Sequence, residues 1–166
     1  MKKLFRIVLV CLLLTSCGGA KKRPIIAQKS TKTTKKTKET SKAGRIISYA
    51  QSYEGTRYKY GGTTKKGMDC SGLVYTSFLQ EKVALPRTSR GMSREGKRIK
   101  LRDAKKGDLL FFKTGKKGVI NHVGLVVSAN SQRILFIHAT SSRGVLTSDL
   151  NEKYWLNAYT EARRIL

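Results

Sequence analysis

Two helical segments come first in this chain and four strand-like runs follow, and that order limits the folds open to it. In GRIISYAQSYE, 44–54, the residues Ile46, Ile47, Ala50 and Tyr53 recur at helical spacing. In SGLVYTSFLQEKV, 71–83, Leu73, Val74, Ser77 and Phe78 share one helical face, and Pro86 closes the region. Strand-like runs then appear as DLLFF (108–112), HVGLVVS (122–128), RILFIHAT (133–140) and AYTEARRI (158–165), with turns marked by Gly115, Gly118, Asn130 and Gly144. Short connections between successive strands favour antiparallel pairing, and helices grouped ahead of strands favour an α+β fold. The expectation is N-terminal helices packed on a central antiparallel β-sheet.

The first residues set the compartment. Lys2, Lys3 and Arg6 precede an apolar run from Ile7 to Leu14. Eight apolar residues are too few for a membrane span, which needs about 20, so the segment reads as an export signal. The stretch LTSC, 14–17, resembles a bacterial lipobox. That resemblance implies cleavage before Cys17, lipid on Cys17 and loss of Cys11 with the signal, the plainer alternative being an ordinary secretory signal. The expected organisation is a lipoprotein signal at 1–16, a lipid-anchored basic disordered linker at 17–43 and a catalytic domain at 44–166.

The chain carries 35 Lys and Arg against 10 Asp and Glu, a net charge of +25. Between 18 and 45, ten basic residues face one acid, Glu39, with almost nothing apolar to pack. Such charge raises nucleic acid as a partner, but an exported chain does not meet it in the cytoplasm. The polyanions outside are the membrane surface and the carboxylate-rich wall; the plain alternative is a solubilising surface.

Of three cysteines, only Cys70 lies in the body of the chain, in GMDCSGLV, 67–74. A lone unlipidated thiol outside the cytosol is exposed to oxidation, so it is either buried packing or a nucleophile. The two histidines, His122 and His138, both fall on expected strands. A cysteine at a helix start, where the N-terminus favours thiolate, followed by histidines on a sheet is what a thiol hydrolase needs. Zinc is the weaker reading, since a structural site needs four ligands and no tight ligand pair is spaced for it. Each histidine could also be an ordinary buried residue, His138 above all.

The segments GTRYKYGGTTKKGMDCSGLV (55–74), LPRTS (85–89), KKGDLLFF (105–112), INHVGLVV (120–127) and FIHATSSRGV (136–145) resemble, in order, the NlpC/P60 family of cell-wall peptidases. The resemblance runs from about residue 44 to the C-terminus. It implies a papain-like α+β core, with Cys70 in the D-C-S-G motif as nucleophile, His122 in the H-V-G motif as base and His138 as the third polar residue orienting it. It also implies that Tyr58 makes a substrate or oxyanion contact, and that Asp69 and Ser89 line the substrate cleft. Read locally, Asp69 could equally cap a helix, Tyr58 could be a packed aromatic, and Tyr60 reads as one. Gly61-Gly62 would let backbone approach the cleft, Gly72 would let the first helix turn approach the sheet, and Gly107-Asp108 reads as a turn into a strand.

The expected protein is therefore an exported lipoprotein, on the outer membrane facing the periplasm. It acts as a monomeric cysteine peptidase on peptidoglycan, with no metal or organic cofactor and no nucleic-acid partner. The resemblance favours cleavage between D-Ala and the diamino acid; cleavage after γ-D-Glu stays open. The alternatives are a non-catalytic wall-binding lipoprotein and another thiol amidase or acyl-transfer chemistry on the same fold.

Overall fold

The computed structural model describes residues 41–166. The expected signal, the Cys17 lipidation site and the linker up to residue 40 lie outside the described residues.

Helix α1, Lys42–Gln51, starts two residues earlier than its spacing suggested because Ser41 caps it, its hydroxyl accepting from Gly44 N–H at 3.1 Å. It buries Ile46, Ile47 and Ala50. A two-residue hairpin of β1, Thr63–Thr64, and β2, Gly67–Met68, leads into α2, Cys70–Leu79. Helix α2 buries the expected Leu73, Val74, Ser77 and Phe78. It ends at 79 rather than 83 because the chain turns left-handed at Lys82, φ 57°. There the Val83 N–H donates to Phe78 O at 3.1 Å and the Lys82 N–H to Leu79 O at 3.0 Å, a Schellman-type stop.

The short α3, Ser89–Met92, and strand β3, Lys97–Ile99, precede a 3₁₀ turn at Leu101–Asp103. Then come β4 (Leu109–Phe112), β5 (His122–Ala129), β6 (Ile134–Thr140), β7 (Gly144–Asp149), α4 (Lys153–Ala158) and β8 (Tyr159–Arg164). The large sheet runs β3-β8-β4-β5-β6-β7 and is antiparallel throughout, as the short connections implied. Six elements stand outside the expected two helices and four strands: β1, β2, α3, β3, β7 and α4. Gly144, at φ 68°, leaves a turn and opens a strand whose mixed sequence GVLTSD hides it, and α4 falls between strands rather than ahead of them.

The sheet buries both faces. Leu109, Phe111, Val123, Leu125, Ile137 and Ala139 pack with α1 and α2. Leu110, Phe112, Val126 and Phe136 form the second core with Leu150 and Trp155. Strand periodicity separates the two sets and puts the histidines on the second face, where His138 packs against Phe136 and Trp155 and His122 against Phe112.

Candidate active site

Helix α2 begins at Cys70 because Asp69 caps it. The Asp69 carboxylate accepts from Gly72 N–H at 2.6 Å and, across the preceding turn, from Gly61 N–H at 2.7 Å. Arg87 lies against both carboxylate oxygens at 3.0 and 2.9 Å and also reaches Gly62 O. Burial alone would raise this carboxyl, yet the Arg87 guanidinium and the Gly72 and Gly61 N–H groups hold it below its usual range. One buried acid thus ties the Gly61-Gly62 turn, the start of α2 and the segment before α3 into one unit. Gly72 serves this junction and not, as expected, an approach to the sheet: a side chain there would strike Gly62 O and the Arg87 guanidinium.

Cys70 is buried and is the free cysteine of the described residues. Its thiol is pushed up by burial, against the backbone N–H groups of Val123, Ser71 and Cys70 itself, which favour thiolate. The expected thiolate preference of the helix start is therefore outweighed, and the resting sulfur carries its proton. No hydrogen bond joins it to His122 in this arrangement.

His122 heads β5 at the same end of the sheet. Its Nε2 lies 2.9 Å from His138 Nδ1, and His138 Nε2 lies 3.0 Å from Ser148 Oγ, all three groups buried. His122 stacks on Trp155 at 5.2 Å. Burial among these rings lowers the His122 pKa to about 4 and drives that of His138 down as well, with the neighbouring imidazole adding to the effect. Both rings are thus neutral at neutral pH. Nε2 being taken, Nδ1 is the His122 nitrogen left for the cleft.

Cys70 comes from the helical face of the sheet and His122 from the other, and they meet in one cavity of about 400 Å³ with Tyr58, Asn121, Arg143 and Trp155. A second cavity of about 430 Å³ lies on the other side of Cys70 and takes in Tyr60, Asp69, Arg87 and Ser89. Tyr58, Cys70 and Asn121 line both, so the thiol stands at the waist of a two-lobed cleft. This is a shape for an extended chain, with the thiol at its middle.

All six residues singled out in the domain therefore border the cleft or lie directly behind it. Tyr58 faces it, with its hydroxyl pKa raised by burial and then by Cys70 and Asp69. Ser89 is buried at the start of α3 on its wall. The Asp69 carboxylate is spent on the cap and on Arg87. Tyr60 is not packed as expected: it is 88% exposed, because the turn into Gly61, φ 73°, aims it outward at the cleft rim. Sequence reasoning missed four contributors. Asn121 stands next to His122 and Arg87 sits inside LPRTS, so adjacency to recognised motifs could have flagged them. Trp155 and Ser148 carried no signal, since neither α4 nor β7 was expected.

The NlpC/P60 family profile matches residues 55–164. The chain belongs to the NlpC/P60 family. It is 40% identical over 123 residues to the murein DD-endopeptidase MepS/murein LD-carboxypeptidase of Escherichia coli K12, covering 74% of this chain and 62% of that protein. It is 38% identical over 160 residues to the probable endopeptidase NlpC of the same strain, covering 96% and 97% of the two. The solved structure of an NlpC/P60 family protein from Bacillus cereus superposes with a TM-score of 0.68 at 31% identity, over 75% of this chain and 40% of that one. The chain thus spans less than two thirds of the length of its MepS relative. Among NlpC/P60 members, that α+β architecture is shared.

Proposed function

We propose that this protein is a cysteine peptidase of peptidoglycan, hydrolysing peptide cross-links or stem peptides, with the bond from D-Ala to the diamino acid as its target. The observation that carries the reading is the buried relay His122–His138–Ser148 opening onto the cleft that holds Cys70. The relatives named as endopeptidases support the substrate class.

A substrate strand lies across both lobes and places its scissile carbonyl over Cys70. The Sγ–H proton passes to His122 Nδ1 as sulfur attacks the carbonyl carbon, and Tyr58 contacts the developing oxyanion. His122 returns that proton to the amine nitrogen as the C–N bond breaks, leaving a thioester on Cys70. A water molecule then gives a proton to His122 and attacks the thioester, releasing the carboxylate and restoring the thiol. His138 orients His122 throughout, and Asp69 and Ser89 shape the lobe that receives one arm of the peptide.

The same reading places the chain as a monomeric lipoprotein, anchored through Cys17 to the outer membrane, facing the periplasm, with 17–43 as leash and 44–166 as catalytic domain. Digestion of purified sacculi, with mass analysis of the released muropeptides, tests the activity. Products ending in D-Ala with a free diamino-acid amine support the proposed bond. Products cut after γ-D-Glu move the specificity, and no soluble product from active-site-intact protein would falsify the peptidase reading.

A further inference from the structure

The cleft and a concavity rich in basic residues lie at opposite ends of the sheet. Phe112 pairs with His122 at the cleft end, whereas Leu109 pairs with Leu125 and Arg163 at the other. Gly107 N–H donates to Val126 O, four residues along β5 from His122, or about 13 Å at 3.3 Å per residue. There a concavity of about 630 Å³ is lined by Lys97, Arg98, Lys100, Arg102, Lys105 and Arg164, with Asp103 its one acid. Arg164 pairs with Asp108 and Arg98 with Glu161. Lys97, Lys100, Arg102 and Lys105 are exposed and form no ion pair among the described residues. The fold has thus gathered four unneutralised cations along an edge strand and the turn after it.

The start of the domain joins this same end. Ala43 packs directly over Gly107, so closely that a side chain at Gly107 would meet its Cβ at 2.8 Å. The described domain therefore begins beside the turn that carries Lys105, on the side of the basic concavity and away from the cleft.

We propose that the concavity is a docking surface for the phosphate headgroups of an anionic phospholipid bilayer, which holds the domain with its cleft facing away from the membrane. The wall is the less suited occupant, because the peptide it presents must reach the opposite end. The inference rests on the anchored reading for the side on which a membrane lies, and does not depend on hydrolysis. Each Lys or Arg near an anionic surface contributes about 1 kcal/mol, or roughly fivefold in partitioning, before screening.

The test uses the full chain carrying Cys17→Ala throughout, so that acylation plays no part. Its readout is co-flotation with phosphatidylcholine vesicles containing 30% phosphatidylglycerol, divided by that with pure phosphatidylcholine; in this ratio any apolar contribution of the N-terminal run cancels (about 30% corresponds to the anionic content that gives a surface potential of a few tens of millivolts). Lys97→Gln/Lys100→Gln/Arg102→Gln/Lys105→Gln should lower the ratio at least tenfold, on the order of two of the four fivefold contributions. Lys113→Gln/Lys116→Gln/Lys117→Gln/Lys153→Gln, the same charge removed at the cleft end, should lower it much less. Lys97→Arg/Lys100→Arg/Lys105→Arg keeps the charge and should keep the ratio, which separates lost charge from lost folding. Equal losses in the two Gln sets, or a wild-type chain indifferent to phosphatidylglycerol, would overturn the proposal. So would a basic-end variant that loses sacculus binding and keeps its vesicle ratio. Palmitate labelling of the chain with Cys17 restored reads the anchor separately.

Discussion

His138 Nε2 meets Ser148 Oγ at 3.0 Å, so the imidazole pair ends on a neutral hydroxyl and not on a carboxylate. If Nε2–H donates to Ser148, His138 Nδ1 accepts from His122 Nε2–H and His122 Nδ1 is left free to take a proton. If the hydroxyl donates instead, the whole relay reverses and Nδ1 of His122 is blocked. Ser148 therefore helps to set the tautomer of a ring it does not touch. Ser148→Ala should lower kcat about tenfold, the rate equivalent of one hydrogen bond of about 1–1.5 kcal/mol, with KM little changed. Ser148→Thr should recover most of it. A Ser148→Ala protein with the wild-type kcat, or one whose loss is all in KM, would remove the positioning role.

Cys70→Ser should abolish sacculus digestion by several orders of magnitude while leaving the melting temperature near the wild-type value. His122→Ala should be as damaging, because base and nucleophile work as a unit. His138→Asn should be milder, since an amide can still bond to the His122 ring. Were His138→Asn the worse of the two, the roles of the histidines would be exchanged.

The lowered histidines predict an unusual acid limb. His122 near 4 stays a base well below the ordinary imidazole range, so kcat/KM on a soluble muropeptide should hold to about pH 5 and fall towards 4. An acid limb at pH 6–7 would contradict the burial argument. Stability follows with the same sign. The unfolded chain binds protons at an ordinary imidazole pKa of about 6.5 and the folded one resists them, so stability is complete above 6.5 and is lost as pH falls towards 4. His122 alone should contribute about 3 kcal/mol of that loss, seen as a falling melting temperature that His122→Gln/His138→Gln flattens.

Arg87→Ala leaves the Asp69 carboxylate buried without its cation. Arg87 is one-third exposed and water can partly replace it, so the expected loss of stability is about 2–3 kcal/mol, below the range for a fully buried pair. The Gly61-Gly62 turn should loosen with it, raising KM more than it lowers kcat. Thermal melts with Michaelis kinetics on a soluble muropeptide check both, and an unchanged melting temperature would show that the clamp is dispensable.

Cys17→Ala should yield a chain that no longer takes up radioactive palmitate. Labelling that persists in this variant would place the lipid elsewhere.

Much of this architecture was legible because burial writes a period into the sequence. Ile46, Ile47 and Ala50 announced a helix, and the 122–128 and 133–140 runs announced strands. Cys70, His122 and His138 were legible by chemistry, as a thiol and two imidazoles in a chain with few of either. Ser148 and Trp155 were not, because a polar residue in a mixed strand and an aromatic in a six-residue helix acquire meaning only once β6, β7 and α4 are adjacent. Tyr60 was misread because one left-handed glycine reverses the direction of the side chain before it. Lys82 hid the end of α2 because it adopts a conformation usually left to glycine.

Strand β8 is last in sequence yet lies between β3 and β4 in the sheet. Until it arrives, β3 has no neighbour and β4 has one open edge, and a chain halted before Tyr159 lacks Ala162, which packs in the second core. Closure of the sheet between β3 and β4 must wait for the 159–164 segment, which pairs with both. This late closure works as a latch: the 159–164 segment seals β3 and β4 together, and a chain without it presents the open edge of β4 to any other strand.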